Sequence, residues 1–235
     1  MPAPSSLDAL AHRLAALPPS CGPVRLVGVD GHAGSGKTTL ARRLAALLGG
    51  APVLHLDDVA SHEALFDWTE RLTEQVLRPL ERGEPAHYEV YDWVARSRTG
   101  RAVLPPAPVV LVEGVGAGRA ALRPYLACLL WMDMPPGDAW RRGQERDGPE
   151  QAGFWAGWIP AERAHFAADP SRPWADFLVR EVSEGREVPG GREVPGGREA
   201  SGAREKDEAA KDAGDGGDRT GYTVREGRTG ALDPR

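Results

Sequence analysis

Apolar strand-like runs alternate with helix-spaced apolar positions over the first 183 residues. Residues 24–29 read as a strand that runs into Gly31. Leu40, Leu44, Leu47 and Leu48 share one face of a predicted helix over residues 38–48, which Gly49-Gly50 stops. Residues 53–56 predict a short second strand. Leu65, Trp68, Leu72, Val76 and Leu80 mark a helix that bends or ends near Pro79. Residues 109–112 and 126–132 predict two further strands, set off by Pro105-Pro106-Ala107-Pro108 and Pro135-Pro136. Residues 138–146 read as a polar, Arg-rich helix. Residues 154–166 are aromatic-rich and partly helical, with Pro160 suited to a first turn. Residues 176–182 suit a final strand. Leu7, Leu10, Leu14 and Leu17 place a short amphipathic helix in the lead-in, residues 1–22. Continuous apolar strands separated by helices predict an α/β fold whose mostly parallel sheet is covered on both faces.

The pattern fades after residue 183. Residues 184–235 hold only Val188, Val194, Val224 and Leu232 of the Val/Ile/Leu/Met/Phe/Trp class, and GREVPG recurs at residues 185–190 and 191–196. Each copy offers one Val, too little for a solenoid core. The expectation is a domain over residues 1–183 and a disordered low-complexity tail over 184–235. Truncation after Ser183 is expected to leave melting and ligand affinity unchanged.

The net charge is −5, so a whole-surface nucleic-acid binder is not expected. No apolar run spans a bilayer and residues 1–20 lack signal-peptide character, so no membrane partner is expected either. Cys21 and Cys128 are too few for a disulfide framework, which points to a reducing, cytoplasmic setting. The six histidines show no zinc-type spacing. Of 29 basic residues only Lys37, Lys206 and Lys211 are lysines, so Lys37 stands alone in the expected domain.

Lys37 lies in Gly31-His32-Ala33-Gly34-Ser35-Gly36-Lys37-Thr38, a full match to G-x-x-x-x-G-K-[ST] between a strand and a helix. Gly31, Gly34 and Gly36 let the backbone turn its N–H groups inward onto phosphate oxygens. The helix start, with Ser35, Thr38 and Thr39, adds a positive dipole end and hydroxyls. Lys37 reaches the β- and γ-phosphates and Thr38 suits Mg²⁺. The motif predicts a P-loop NTPase three-layer sandwich that binds ATP, and is silent on the fate of the γ-phosphate.

Two acidic positions follow strands. Asp57-Asp58 ends one, where a carboxylate can take a proton from a substrate hydroxyl. Glu113 ends residues 109–112, a Walker-B-like place for Mg²⁺ or its waters. Capping of the following helices is the other reading of these acids.

With the phosphate loop, His55-Leu56-Asp57-Asp58, Val112-Glu113-Gly114 and Arg141-Arg142-Gly143-Gln144-Glu145-Arg146-Asp147, residues 24–182 resemble the uridine kinase-like branch of small-molecule P-loop kinases. That resemblance implies a phosphotransferase acting on an alcohol group of a small molecule, with a nucleoside as leading acceptor. It makes Asp57 the general base, Glu113 a metal-site residue, and Arg142 and Arg146 lid residues beside the catalytic Lys37. Tyr88, Tyr91 and Asp92 lie in the stretch where such kinases build the acceptor site; ordinary packing is the other reading. The family's Phe-Tyr after the acidic pair is Val59-Ala60 here, which departs from its nucleoside pocket. Trp155, Trp158 and Phe166 suit a base platform or packing, and Glu162 and His165 beside them receive no role. A nucleotide-dependent regulatory ATPase and an ATP-binding degenerate kinase are the alternative functions.

Overall fold

The computed structural model describes residues 6–183 and 220–227. Six strands form the main sheet in the order β2-β5-β1-β6-β7-β8. They are β1 (Arg25–Asp30), β2 (Val53–His55), β5 (Val109–Glu113), β6 (Leu126–Met132), β7 (Phe177–Ser183) and β8 (Thr220–Glu226). The β1–β5, β1–β6, β2–β5 and β6–β7 pairs are all parallel. The strands are nearly all apolar because both faces are covered. Along β5, Val109 and Leu111 enter one core and Val110 and Val112 the other.

The first core is closed by α1 (Leu7–Ala15) and α2 (Lys37–Leu47) through Leu10, Leu14, Leu40 and Leu44. The second is closed by Leu72, Val76, Leu77 and Leu80. These four lie on a helical run composed of α4 (Thr69–Leu72), a π-helical stretch (Thr73–Leu77) and α5 (Arg78–Glu81). The run carries Pro79 in its last turn and ends at Glu81, close to where the sequence placed its bend or end. A proline crowds the carbonyl four residues earlier, and the wider π turn just before it relieves that crowding. The run begins at Thr69, so Leu65, expected within it, precedes it.

Three further elements differ from the sequence expectation. Residues 154–166 lie inside one long helix, α7 (Ala152–Ala168), so Pro160 is interior and not in a first turn. Pro160 and Ala156 are both exposed, so the carbonyl that Pro160 cannot bond lies on the solvent side. An antiparallel hairpin, β3 (Ala86–Asp92) and β4 (Ser97–Leu104), stands apart from the main sheet. Ala86, Tyr88 and Leu104 of the hairpin are buried in the second core.

The third difference corrects the tail boundary. Residues 220–226, expected to lack structure, form β8 at the sheet edge next to β7. Tyr222 is buried in the first core with Val224 against it, while Arg225 donates to Asp133. Asp133, itself buried, also accepts from Arg172 at 3.0 Å and Arg180 at 3.2 Å. Tyr222 was not among the apolar residues counted for the tail, yet its ring and the period-two alternation are what order the strand. The GREVPG repeats and the rest of the expected tail lie outside the described residues. Truncation after Ser183 would remove β8, so the expectation of an unchanged melting point is withdrawn.

Cys21 and Cys128 are buried and not joined in a disulfide, and burial pushes the Cys21 thiol up to about 12. Among the described residues no helix is long and apolar enough to cross a membrane.

Candidate functional site

The site lies at the carboxyl ends of β1, β2 and β5, where an open parallel sheet gathers ligand groups. β1 delivers Asp30, fully buried, at its last position. Asp30 Oδ1 accepts from the backbone N–H of Gly31 at 2.7 Å and of Gly116 at 2.9 Å, and Oδ2 from that of Gly118 at 2.8 Å. One carboxylate thus joins the start of the phosphate loop to the loop after β5.

Gly31, Gly34 and Gly36 have φ of 149°, 83° and 95°. Positive φ of this kind strains any residue with a Cβ. At Gly34 space is decisive too, because a Cβ would lie 2.0 Å from the Ala139 carbonyl oxygen. That carbonyl belongs to α6 (Pro136–Asp147), the expected lid helix, which packs backbone to backbone on the loop. α2 starts at Lys37 with Gly36 as its cap and no capping side chain, so its first N–H groups remain available. Lys37 is buried to 8% exposure, and its Nζ donates to the His32 carbonyl at 2.9 Å. The Ser35 hydroxyl is buried without a hydrogen-bond partner among the described residues. Thr38 is exposed and Thr39 half-buried on the first turn of α2. This is a backbone cradle with one ammonium inside it, a fit for a polyphosphate.

Thr38 Oγ1 donates to Glu113 Oε1 at 2.9 Å, and His55 Nδ1 lies 2.6 Å from the same oxygen. Burial acts to raise the Glu113 carboxyl. The His55 hydrogen bond, the Lys37 charge and Thr38 oppose it and hold the group below its ordinary value. His55 is raised in turn, chiefly by that hydrogen bond. Thr38 and Glu113 supply two hard oxygens, the set Mg²⁺ takes when phosphates and waters complete its shell. No cluster of three or more His, Cys, Asp or Glu that could cage a metal occurs among the described residues.

Asp57 follows β2 on the short turn α3 (Leu56–Val59). Its side chain is open to solvent, yet the protein crowding it raises its pKa, first by desolvation and then through Glu113. Lys37 and His55 pull the other way. Open access with a raised pKa is the condition of a carboxyl in a cleft. Asp58 is also raised by burial and accepts from the Tyr88 hydroxyl at 3.3 Å. That bond, and burial before it, push Tyr88 up to about 12.

The hairpin therefore reaches the acidic pair through Tyr88. Trp93 Nε1 donates to the Asp57 carbonyl at 3.0 Å. Tyr91 is buried, its hydroxyl 2.9 Å from His62 Nδ1, with the Trp93 ring edge-on at 5.2 Å. Asp92 departs from its expected role: Oδ1 accepts from the N–H groups of Val94 at 2.9 Å and Ala95 at 2.8 Å, so its carboxylate shapes the hairpin turn.

The two arginines expected to form a lid take different stations on α6. Arg142 donates to Glu181 and comes close to Gly36. Arg146 forks onto Asp147 at 2.7 and 3.1 Å while feeling the charge of Asp57. Trp155 Nε1 steadies Asp147 at 3.1 Å. Trp155 and Trp158 are packing residues in a cluster with Trp140 and Val115.

Sequence reasoning gave Glu162 no role, yet it is buried and bound to His32 and Ala33 of the phosphate loop. A lone acid in an aromatic segment was the available signal, and its partners lie 129 and 130 residues away.

No protein-family profile matches the chain. A 111-residue stretch is 32% identical to the inorganic pyrophosphatase TTM2 of Arabidopsis thaliana, covering 43% of this chain and 16% of that protein's length. A uridine kinase of Borrelia turicatae is 24% identical over 181 residues, covering 67% of this chain and 87% of the relative. Among solved structures, one described as a possible uridine kinase from Bacillus stearothermophilus is 21% identical with a TM-score of 0.48, covering 67% of this chain and 93% of that one. The likeness to uridine kinases read from short motifs thus extends over two thirds of the chain.

Proposed function

We propose that this relative of the uridine kinase-like P-loop kinases moves the γ-phosphate of ATP to a hydroxyl of a small molecule, with a nucleoside as the leading acceptor. One observation carries the reading: Lys37 stands inside the backbone cradle with its Nζ 2.9 Å from the His32 carbonyl, the Thr38–Glu113 oxygen pair lies beside it at 2.9 Å, and Asp57 follows β2 at the same end of the sheet. A base poised above the ordinary aspartate range therefore adjoins a phosphate cradle and a hard-oxygen pair.

Phosphoryl transfer passes through a loose transition state, so the protein mainly positions groups and neutralises charge. The loop N–H groups and Lys37 hold the β- and γ-phosphates. Thr38 and Glu113 would hold Mg²⁺, which would supply further positive charge at the phosphate oxygens. Asp57 accepts the acceptor's hydroxyl proton as the oxygen attacks phosphorus. Arg142 and Arg146 close over the transferring group, and their planar forks suit paired phosphate oxygens. Tyr88, Tyr91, His62 and Trp93 wall the acceptor side, and aromatic walls suit a planar base. Asp92 is not retained as an acceptor contact.

The test is a screen of nucleosides and related alcohols for acceptor-dependent ADP release. At least one should raise turnover well above basal hydrolysis. ATP hydrolysis that responds to no small molecule would sink the reading.

A further inference from the structure

Glu162 on α7, outside the reacting groups, is fully buried and accepts four hydrogen bonds. Its Oε1 accepts from His32 Nδ1 at 2.7 Å and from Trp140 Nε1 at 3.0 Å. Its Oε2 accepts from Trp158 Nε1 at 2.6 Å and from the Ala33 N–H at 3.2 Å. Indole and backbone N–H groups only donate, so Glu162 serves them as an ionised carboxylate with its acceptor capacity filled. Burial acts to raise its pKa, but His32, Trp158, Lys37 and the Ala33 amide hold it below the ordinary glutamate value.

The four donors come from three places. His32 and Ala33 belong to the phosphate loop, Trp140 to α6 and Trp158 to α7. Lys37 extends the chain by donating to the His32 carbonyl. Little slack exists around this node. A Cβ on Gly143 of α6 would lie 2.4 Å from the Trp155 ring of α7, and Gly34 is in similar contact with α6.

We propose that Glu162 is a positioning residue for the nucleotide: it holds the His32–Ala33 arch of the phosphate loop against α6 and so sets where the Lys37 ammonium stands. The inference rests on the reading of the loop as an ATP site. Charge and geometry both specify glutamate here. Glutamine would turn an NH₂ toward either the Trp140/His32 pair or the Trp158/Ala33 pair. His32 can move its ring proton to adapt, but an indole or an amide cannot, so a donor would face a donor.

Glu162→Gln, His32→Ala and the double variant test this by calorimetric titration with Mg-ADP, alongside melting curves. Each single variant should weaken Mg-ADP binding at least tenfold. The double variant should be no more than about twofold worse than the poorer single, because both changes cut one link. In turnover, KM for ATP should rise while the acceptor KM stays within twofold, which general loosening would not produce. Affinity unchanged within twofold in folded Glu162→Gln overturns the proposal, as does strict additivity in the double variant. The His32 side chain is 15% exposed, so His32→Ala keeps the proposal falsifiable even where Glu162→Gln fails to fold. Unchanged affinity in His32→Ala also overturns it. Wild-type protein that binds no nucleotide defeats the ATP-site reading itself; wild-type binding with unaffected variants defeats this inference alone.

Discussion

Carboxylates on the two sides of the site live under opposite conditions. On the phosphate-loop side, Asp30 and Glu162 are fully buried and surrounded by donors, three N–H groups for one and four for the other. On the acceptor side, Asp57 takes no side-chain hydrogen bond among the described residues, and Asp58 takes a single long one from Tyr88. The first pair builds the loop and has no capacity left for a substrate. The surrounding protein raises the pKa of both members of the second pair, although Asp57 is open to solvent and Asp58 half-buried, because few donors oppose the desolvation. Exposure and the number of donors aimed at each carboxylate both separate the two pairs.

The sharpest way to break that contrast is to damage each side separately. Asp57→Asn should lower transfer by about 10²–10⁴-fold, the usual worth of a general base, while Mg-ATP affinity stays within threefold. Full transfer activity in this variant would show that the base was misassigned. Lys37→Arg keeps the charge but puts a broad fork where a slim ammonium fits, and turnover should fall at least ~10²-fold. Near-normal activity would mean the cradle tolerates a guanidinium.

A smaller effect sits at the sheet edge, far from either set of acids in kind. Tyr222→Ala should cost about 2–4 kcal/mol in urea unfolding, in the range for removing a large buried ring. Loss below about 0.5 kcal/mol would mean β8 adds little to the domain.

Stability against pH offers a subtler comparison in nucleotide-free protein. Asp57 is raised in the fold, so its stabilising contribution is complete below the ordinary aspartate pKa and is lost as pH rises through the raised value. Asp57→Asn should therefore raise Tm at pH 7 and change it little below about pH 4. Glu113 is depressed, so it stabilises above the ordinary glutamate value and that contribution disappears as pH falls through the depressed one. Glu113→Gln should accordingly lower Tm at pH 7. Shifts of the same sign in the two variants would refute the opposite environments assigned to them.

The smallest expected change is at Asp92. Asp92→Ala loosens the hairpin turn, with a loss near ~1 kcal/mol and an acceptor KM within twofold of wild type. A tenfold rise in that KM would restore Asp92 to the substrate site.

The phosphate loop and the apolar strands were legible because their information is local. A fixed spacing declares the cradle, and runs such as Val109-Val110-Leu111-Val112 declare buried strands. The hairpin was less visible because Ala86, Tyr88 and Leu104 are spaced among His, Glu and Arg, so its apolar face is thin. β8 escaped notice for a related reason, since its one large buried side chain, Tyr222, carries a hydroxyl. Pro160 misled because a proline inside a helix is tolerated only where the neighbouring carbonyl can reach water, and exposure is a tertiary fact. Glu162 could not be read at all: its meaning lies in His32 and Ala33, which only the fold brings within 3.2 Å. Asp57 and Glu113 were placed at strand ends by pattern, but their opposite pKa directions depend on His55, Thr38 and Lys37 converging on Glu113.

The seclusion of the Lys37 ammonium has a practical side. Lys37 is the only lysine before Lys206, and it is nearly shut from solvent against the His32 carbonyl. Amine-directed reagents therefore meet a single address within residues 6–183, one that lies inside the proposed contact zone of the nucleotide's phosphates. Acylation at that address, followed by mass spectrometry with and without nucleotide, turns the chain's preference for arginine into a footprint of site occupancy.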